Sequence, residues 1–224
     1  MKIVFTPDWF LNNDVLIETF SFFILVTFFL LALKSYSMSR KKSVLYLGMG
    51  FFLIALGQLA AIVTKLVLYY DTSVVQEIGQ VIITSNIVKS VDIFYYAGFF
   101  FSRFFTLLGL YAIFKIPHEK KISSDFFLAI YLLLIVALLS HNFYYLYNFT
   151  AFVILVPIIR QYYLIYKKEK MTSTAILIFA FILLAVAQFT FMFSQMGNFY
   201  VIAQNIQLAS YLILLVLIVK ILRS

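Results

Sequence analysis

Residues 52–59 read Phe52-Leu53-Ile54-Ala55-Leu56-Gly57-Gln58-Leu59, and residues 182–189 read Ile182-Leu183-Leu184-Ala185-Val186-Ala187-Gln188-Phe189. Both stretches are apolar apart from one glutamine, which stands at the same place in each. The same offset of 130 positions aligns Ile24-Leu25-Val26 with Ile154-Leu155-Val156, and Tyr36 with Tyr166. A repeat of this kind inside an apolar chain predicts a membrane protein built from two related helical units.

The composition predicts that this chain lies in a lipid bilayer. It is 64% hydrophobic and 12% charged, with a mean hydropathy of +1.03, whereas a soluble domain is ~45–50% apolar and ~25% charged. At ~20 residues per span, 224 residues allow about seven transmembrane helices. We therefore expect a multi-pass protein of the cell membrane, in contact with membrane lipid. The chain has no cysteine, which excludes disulfides and thiolate metal sites.

Seven apolar segments have the composition of membrane spans. They lie near Val15–Tyr36, Ser43–Val67, Ile93–Lys115, Phe126–Leu139, Tyr144–Tyr166, Thr174–Ser194 and Tyr200–Leu222. We expect each to be helical, because backbone groups in lipid must bond within their own segment. None of them shows the alternating polarity of a β-barrel strand. The predicted fold class is an all-α integral membrane bundle of seven transmembrane helices.

The basic residues fall on alternate loops of this predicted bundle. Thirteen of the seventeen lysines and arginines lie near the first, third and fifth turns and at the C-terminus. By the positive-inside rule, the N-terminus is outside and the C-terminus is cytoplasmic. The net charge of +8 is therefore explained by the orientation of the chain in the membrane. We expect no nucleic-acid partner.

The internal repeat extends over the whole chain. Helices 1 and 2 match helices 5 and 6, and helix 3 matches helix 7 at an offset of 108, which aligns Ser102 with Ser210. The prediction is a single transmembrane domain, residues 1–224, with repeat 1 at about 15–116, a linker helix at about 124–140 and repeat 2 at about 143–222. One linker helix gives both repeats the same orientation, which is a parallel 3+1+3 repeat.

The longest loop predicted in the chain runs from Asp71 to Val91. Apolar residues at positions 74, 75, 78, 81 and 82 follow helical spacing, with polar residues between them. This pattern predicts either an amphipathic helix on the membrane surface or an ordered loop packed on the bundle.

Ionisable residues inside the spans mark the candidate site. Arg103 lies twelve residues before Lys115, about 18 Å from the inner boundary and near the bilayer centre. An arginine there costs at least ~2.5–3.5 kcal/mol, so it must face protein or water, either as an anion contact or in a structural pair. Asp92 shares its helical face but lies ~16 Å away, which makes Glu18 the better candidate partner. Lys65 is either similarly deep or snorkels outward.

Four glutamines complete the candidate site. Gln58 and Gln188 are equivalent in the two repeats, and Gln204 and Gln207 share one face of helix 7. They either line a central binding site or form interhelical hydrogen bonds worth about 0.6–2 kcal/mol each. All these polar residues fall in the middle-to-outer part of their helices, above an aliphatic and aromatic inner half. The predicted ligand-binding residues are Glu18, Gln58, Asp92, Arg103, Gln188, Gln204 and Gln207.

The sequence carries no catalytic constellation at membrane depth. His118 and His141 are the only histidines and lie on opposite sides of the predicted bundle, so a zinc site with several histidine ligands is excluded. There is no Gly-x-Ser-x-Gly stretch and no phosphate-binding loop. We expect neither enzymatic activity nor a metal site.

The 3+1+3 topology resembles that of the microbial rhodopsins. Rhodopsins of that type hold retinal on a lysine in the middle of helix 7. Here the only lysine of helix 7 is Lys220, at its cytoplasmic end, while Gln207, Ser210 and Tyr211 occupy the middle. We therefore expect no retinal and no other cofactor.

The topology also resembles two other groups of seven-helix proteins. It is similar to the SWEET and PQ-loop sugar carriers, which carry a proline-containing motif in each triplet, and Pro157 is the only proline inside a span here. It looks like the sensor regions that precede histidine kinases, where a basic turn leads into a second helix containing glycine and alanine. The stretch from Arg40-Lys41-Lys42 to Gly57 has that form.

These resemblances and the polar residues together imply a receptor or transport function. The first hypothesis is a non-enzymatic sensor or ligand-binding bundle, which acts through a protein partner in the membrane. Its polar pocket in the outer half would take a small polar or anionic ligand. The alternatives are a small-solute carrier of SWEET-like type and a structural subunit of a membrane complex.

Overall fold

The computed structural model describes residues 6–10, 12–40, 42–77, 86–115 and 124–223. They form a short 3-10 helix and seven α-helices. The 3-10 helix is Asp8–Phe10, and the α-helices are α1 (Asn13–Ser39), α2 (Lys42–Glu77), α3 (Asn86–Lys115), α4 (Ser124–Leu139), α5 (Tyr144–Glu169), α6 (Thr172–Phe191) and α7 (Gly197–Arg223). These ranges contain no strand, so the predicted all-α class is confirmed for this part of the chain.

Six of the seven helices are long and apolar enough to cross a bilayer, and α4 is the exception. The six are α1, α2, α3, α5, α6 and α7, with candidate spans of 20 to 26 residues. Helix α4 has 16 residues, which corresponds to ~24 Å of helix against ~30 Å of hydrocarbon. Among the described residues, the structure is that of a multi-pass helical membrane protein with six full-length spans.

The outer surface of the bundle is apolar. Leu16, Phe127 and Val216, from three different helices, are 67%, 70% and 59% exposed. Apolar surface of this extent would be costly in water. In a bilayer it is the ordinary lipid-facing surface of a helix bundle, which supports the membrane assignment.

The helices pack as two consecutive groups of three. Helix α2 lies between α1 and α3, and α6 lies between α5 and α7; the two groups meet through α1 with α7 and α3 with α5. Helix α4 packs beside α3 and α5. The core between the two groups contains Leu25, Phe51, Leu107, Leu155 and Phe181, each no more than 1% exposed. Burial of these side chains holds the two groups together.

The boundaries of matched helices lie 130 positions apart. Helix α1 ends at Ser39 and α5 ends at Glu169. Helix α2 begins at Lys42 and α6 begins at Thr172. The turn between α1 and α2 and the turn between α5 and α6 are therefore separated by the same 130 positions as the matching stretches of sequence.

The same two turns share their backbone conformation. Arg40 ends α1 with φ 54°, and Lys170 ends α5 with φ 50°; both are left-handed. The Arg40 N–H donates to the Tyr36 carbonyl at 2.8 Å, and the Lys170 N–H donates to the Tyr166 carbonyl at 2.8 Å. A left-handed residue at this position is a common helix stop, and here it is basic in both turns.

Phe51 and Phe181, also 130 positions apart, contact each other in the core. Their rings are stacked with centroids 6.2 Å apart and an angle of 2° between the ring planes. Each side chain is 1% exposed. If a rotation axis relates the two helical groups, matched residues can contact each other only close to that axis. The stack of Phe51 on Phe181 would therefore lie near it.

The surface helix or loop predicted over residues 71–91 is wrong in its bounds. Helix α2 continues without interruption to Glu77, and α3 begins at Asn86. No glycine or proline occurs between Gln58 and Ile78, so no residue in this stretch stops the helix. Residues 78–85, the centre of the predicted segment, lie outside the described residues.

Glycines let α2 and α3 approach closely. A Cβ placed on Gly109 would lie 2.5 Å from the Gly50 carbonyl oxygen and 2.7 Å from Cγ1 of Ile54. The first contact is with backbone, which cannot rotate away. Close helix contact through small residues is a usual way to pack helices in membranes.

We expect Gly109→Ala to destabilise the protein by ~1–3 kcal/mol, because the added methyl group overpacks a backbone contact. Ala97→Ser adds one non-hydrogen atom at an exposed position of the same helix and serves as the control. Thermal unfolding of the purified protein in detergent would measure both variants. Equal melting temperatures for the two variants would show that α2 and α3 are not tightly packed at Gly109.

Candidate functional site

A cavity of about 180 Å³ lies between six of the helices, and only α4 does not contribute to it. Its lining includes six of the seven predicted ligand-binding residues. They are Glu18, Gln58, Arg103, Gln188, Gln204 and Gln207. The seventh, Asp92, falls on α3, and its side chain lies outside the part of the chain that the structure describes. The structure therefore brings together residues from five helices that are far apart in sequence.

An apolar layer closes one end of the cavity. One turn beyond the cavity lining, α2 presents Phe51, α3 presents Ile113, α6 presents Phe181 and α7 presents Leu214. All four side chains are at most 2% exposed. This agrees with the predicted arrangement of a polar half above an aliphatic and aromatic half.

Lys65 is buried at the edge of the cavity and bound to two carboxylates. Its ammonium lies 2.9 Å from Oδ2 of Asp14 and 2.5 Å from Oε1 of Glu18. It also donates to the Tyr200 hydroxyl at 3.2 Å. Lys65 is 4% exposed, Glu18 8% and Asp14 0%. Burial of an ammonium is tolerable only with such partners, because desolvation of the charge is expensive.

This cluster decides the pairing of the ionisable groups. Glu18 was expected to pair with Arg103, and this is wrong, because Glu18 binds Lys65. Of the two alternatives for Lys65, the deep position is the one found, because its partners lie inside the bundle. Asp14, which precedes the first predicted span, is completely buried. The spacing of four residues between Asp14 and Glu18 places both on one face of α1, and this signal could have identified the pair.

Arg103 has partners of a different kind. Its Nη1 donates to the Ser140 hydroxyl at 3.0 Å, and its guanidinium lies 5.8 Å from the centre of the Phe99 ring. Ser140 follows directly after the C-terminus of α4, where the helix dipole favours a positive charge. Among the described residues, no carboxylate forms an ion pair with Arg103.

The charge of Arg103 extends to the turn after α4. His141 packs edge-on against Tyr96, with ring centroids 4.1 Å apart. Partial burial and then the positive charge of Arg103 hold the pKa of His141 below its ordinary value. The imidazole therefore stays neutral over more of the physiological pH range, and Arg103 is the principal cation at this position.

Two buried acceptors near the cavity lack a partner among the described residues. They are Oε1 of Gln188 and Oε2 of Glu18, and their side chains are 6% and 8% exposed. Gln207 donates to Tyr211 at 3.2 Å, a bond within α7. The expected interhelical role of the glutamines is therefore not fulfilled by Gln207, and the Gln188 carbonyl is left unpartnered.

The cavity combines polar and apolar side chains. Donors and acceptors line a small cavity that also has apolar walls, a composition that is usual for ligand sites. Among the described residues, no group of three or more His, Cys, Asp or Glu side chains could hold a metal ion. Comparison of the chain with protein families, with curated proteins and with solved structures finds no match. The resemblance to rhodopsins, sugar carriers and kinase sensor regions therefore rests on topology alone.

We expect Lys65→Met to destabilise the protein by ~3–5 kcal/mol, because it leaves two buried carboxylates without their cation. Lys34→Met, which removes an exposed lysine of α1, should change the stability little. The triple variant Asp14→Asn, Glu18→Gln, Lys65→Met should recover part of the loss, since no buried charge remains in the cluster. Unfolding in detergent would measure all three, and equal stability of the two single variants would contradict the ion cluster.

Proposed function

We propose that this chain is a non-enzymatic ligand-binding bundle of the cell membrane, which senses a small polar or anionic compound and acts through a protein partner. The observation that carries the proposal is Arg103, a partly buried guanidinium on the cavity that no described carboxylate neutralises. A charge that the fold leaves without a counter-ion costs stability, and a bound ligand can supply the missing group. The unpartnered carbonyl of Gln188 supports the same proposal.

The proposed topology is two parallel three-helix units joined by α4, with the N-terminus outside and the C-terminus in the cytoplasm. The matched helix ends and the stacked Phe51 and Phe181 support two related units. The basic residues at the matched turns, Arg40 and Lys170, support a cytoplasmic position for both turns. In this orientation the cavity lies in the outer half of the bundle and the apolar layer lies beneath it.

A carrier is the second candidate function. The observation that favours it is the stack of Phe51 on Phe181, which joins the two helical groups directly beneath the cavity. In carriers with repeats, one unit rocks against the other around a central site, and separation of this stack would open a path. A sensor needs no such opening, so transmembrane flux distinguishes the two functions.

The absence of cysteine allows a direct test of access to the cavity. We expect Gln188→Cys to react with a membrane-impermeant methanethiosulfonate reagent added from the outer side only, because the apolar layer closes the other end. Leu155→Cys, within the core, should not react. Labelling from the inner side alone would reverse the proposed orientation.

A second cysteine reports on ligands while Gln188 stays in place. We expect the labelling of Ser102→Cys, at another position of the cavity lining, to slow in the presence of at least one of four probes: acetate, inorganic phosphate, glucose or leucine. A cysteine at Trp9, which is 67% exposed, should label at the same rate with and without each probe. A labelling rate at Ser102→Cys that none of these probes changes would argue against a ligand-binding role.

If the protein is a sensor, we expect that a probe which slows the cysteine labelling does not cross the membrane of liposomes that contain the protein. The reason is the apolar layer, to which α2, α3, α6 and α7 each contribute a buried side chain. Uptake of radiolabelled probe, compared with that into protein-free liposomes, measures this. Saturable uptake by the protein liposomes that Phe51→Trp abolishes would exclude the sensor and favour the carrier.

A further inference from the structure

The cavity carries unsatisfied acceptors and an unsatisfied cation at the same time. We infer that its ligand is a small zwitterion of amino-acid size, with an ammonium, a carboxylate and an apolar portion. This inference rests on the proposed ligand-binding function and names the class of ligand.

The acceptor end of the site is formed by Glu18 and Gln188. Lys65 binds only Oε1 of the Glu18 carboxylate, and Oε2 is buried without a hydrogen-bond partner, as is Oε1 of Gln188. Gln204 contributes a side-chain hydrogen bond to the Glu18 carboxylate, and Oε2 still has no partner within hydrogen-bond distance among the described residues. Both free atoms accept hydrogen bonds, so the missing partner is a donor. An ammonium group supplies up to three donors and a charge opposite to that of Glu18.

The donor end of the site is Arg103. A guanidinium has five N–H donors in a fixed fork, and the described residues accept from only one of its nitrogens, Nη1. The Phe99 ring and the α4 C-terminus offset part of the charge but offer no anion. A carboxylate fits the fork with two parallel hydrogen bonds.

A ligand with one charge would leave one end of the site unmatched. A simple anion would satisfy Arg103 and bring a second negative charge towards Glu18. A simple cation would satisfy Glu18 and approach Arg103 with a like charge. A sugar hydroxyl could bond to either end, but it would leave Arg103 without a counter-charge, and it would not offset the second carboxylate of the cluster in which Asp14 and Glu18 share the single ammonium of Lys65. Only a zwitterion supplies a donor, an acceptor and both counter-charges.

The remaining walls and the volume set the rest of the ligand. Ile54, Leu184 and Phe191 line the cavity together with Phe99 and Leu110, and apolar groups bind such walls by leaving water. The volume of about 180 Å³ is below the ~300–1,000 Å³ of pockets for drug-sized molecules. An amino acid with an aliphatic side chain meets both conditions.

The test compares leucine with two analogues that each lack one charge, using the full chain in nanodiscs and calorimetric titration. N-acetyl-leucine lacks the ammonium, and leucinamide lacks the carboxylate. We expect leucine to bind at least about tenfold more tightly than either analogue, because each analogue lacks the charged group that bonds to one end of the site. The measurement is made at a pH where the amine of leucinamide is protonated.

Two variants assign each end of the ligand to its residue. Glu18→Gln should bring N-acetyl-leucine and leucine to similar affinity, and Arg103→Gln should do the same for leucinamide and leucine. Glu18→Gln leaves Lys65 its second carboxylate, Asp14, at 2.9 Å, so the fold is retained. Asn205→Ala is the matched control, since Asn205 is exposed and bonds to Val201 of its own helix; it should keep the wild-type preference.

Each other outcome overturns the inference in an identifiable way. Binding of N-acetyl-leucine as tightly as leucine by the wild-type chain would make this an anion site. Equal binding of leucinamide and leucine would make it a cation site. No binding of leucine, while acetate, phosphate or glucose still protects Ser102→Cys, would overturn the zwitterion and leave the ligand-binding function intact. If none of the probes protects that cysteine, the proposed function fails as well.

Discussion

The burial of Lys65 is the constraint on which the polar half of this bundle depends. The effective penalty for removing one ion from water is several kcal/mol, and attraction between buried charges offsets it only with close partners. Asp14 and Glu18 supply those partners from one face of α1, and Tyr200 adds a hydroxyl from α7. Rotation of α1 by even a third of a turn would leave the ammonium without counter-charges. The cluster therefore fixes how three helices face each other, and the cavity lies against it.

The properties of Arg103 follow from this pairing. Because Glu18 binds Lys65, it does not pair with Arg103, whose guanidinium contacts a hydroxyl and an aromatic ring. The two cations therefore have different roles. Lys65 holds helices together, and Arg103 remains available on the cavity. A bundle that needed both cations only for stability would gain from a second carboxylate near Arg103, since a buried charge without a counter-ion is costly.

The sequence predicted the helices and six of the polar residues that line the cavity, because both follow from where polar residues interrupt apolar spans. Gln58 and Gln188 could be placed together from the repeat alone, and both line the cavity. The ion pairs could not be predicted in this way. Hydropathy reports the depth of a residue along a helix, whereas the partner of Lys65 depends on the direction in which each helix face points. Asp14 was misassigned because a carboxylate close to a helix end also fits a solvated loop. The partner of Arg103 depends on the point where α4 stops, at Leu139, and no capping signal marks that point.

The predicted repeat also brings out an asymmetry in the site. At the offset of 130, Glu18 aligns with Asn148 and Gln58 with Gln188; at the offset of 108, Arg103 aligns with Tyr211. All six of these side chains line the cavity. Every charged member comes from α1–α3, and every counterpart in α5–α7 is neutral. Two related units without this difference would present equal surfaces to a ligand on the axis between them. Here the charged side chains belong to the first unit, so the two sides of the cavity differ in charge. A bound zwitterion would direct its charged groups towards the first unit and its apolar portion towards Leu184 and Phe191 of α6. Occupancy would then pull on one unit more than on the other, which is the unequal response that a sensor has to pass to a partner.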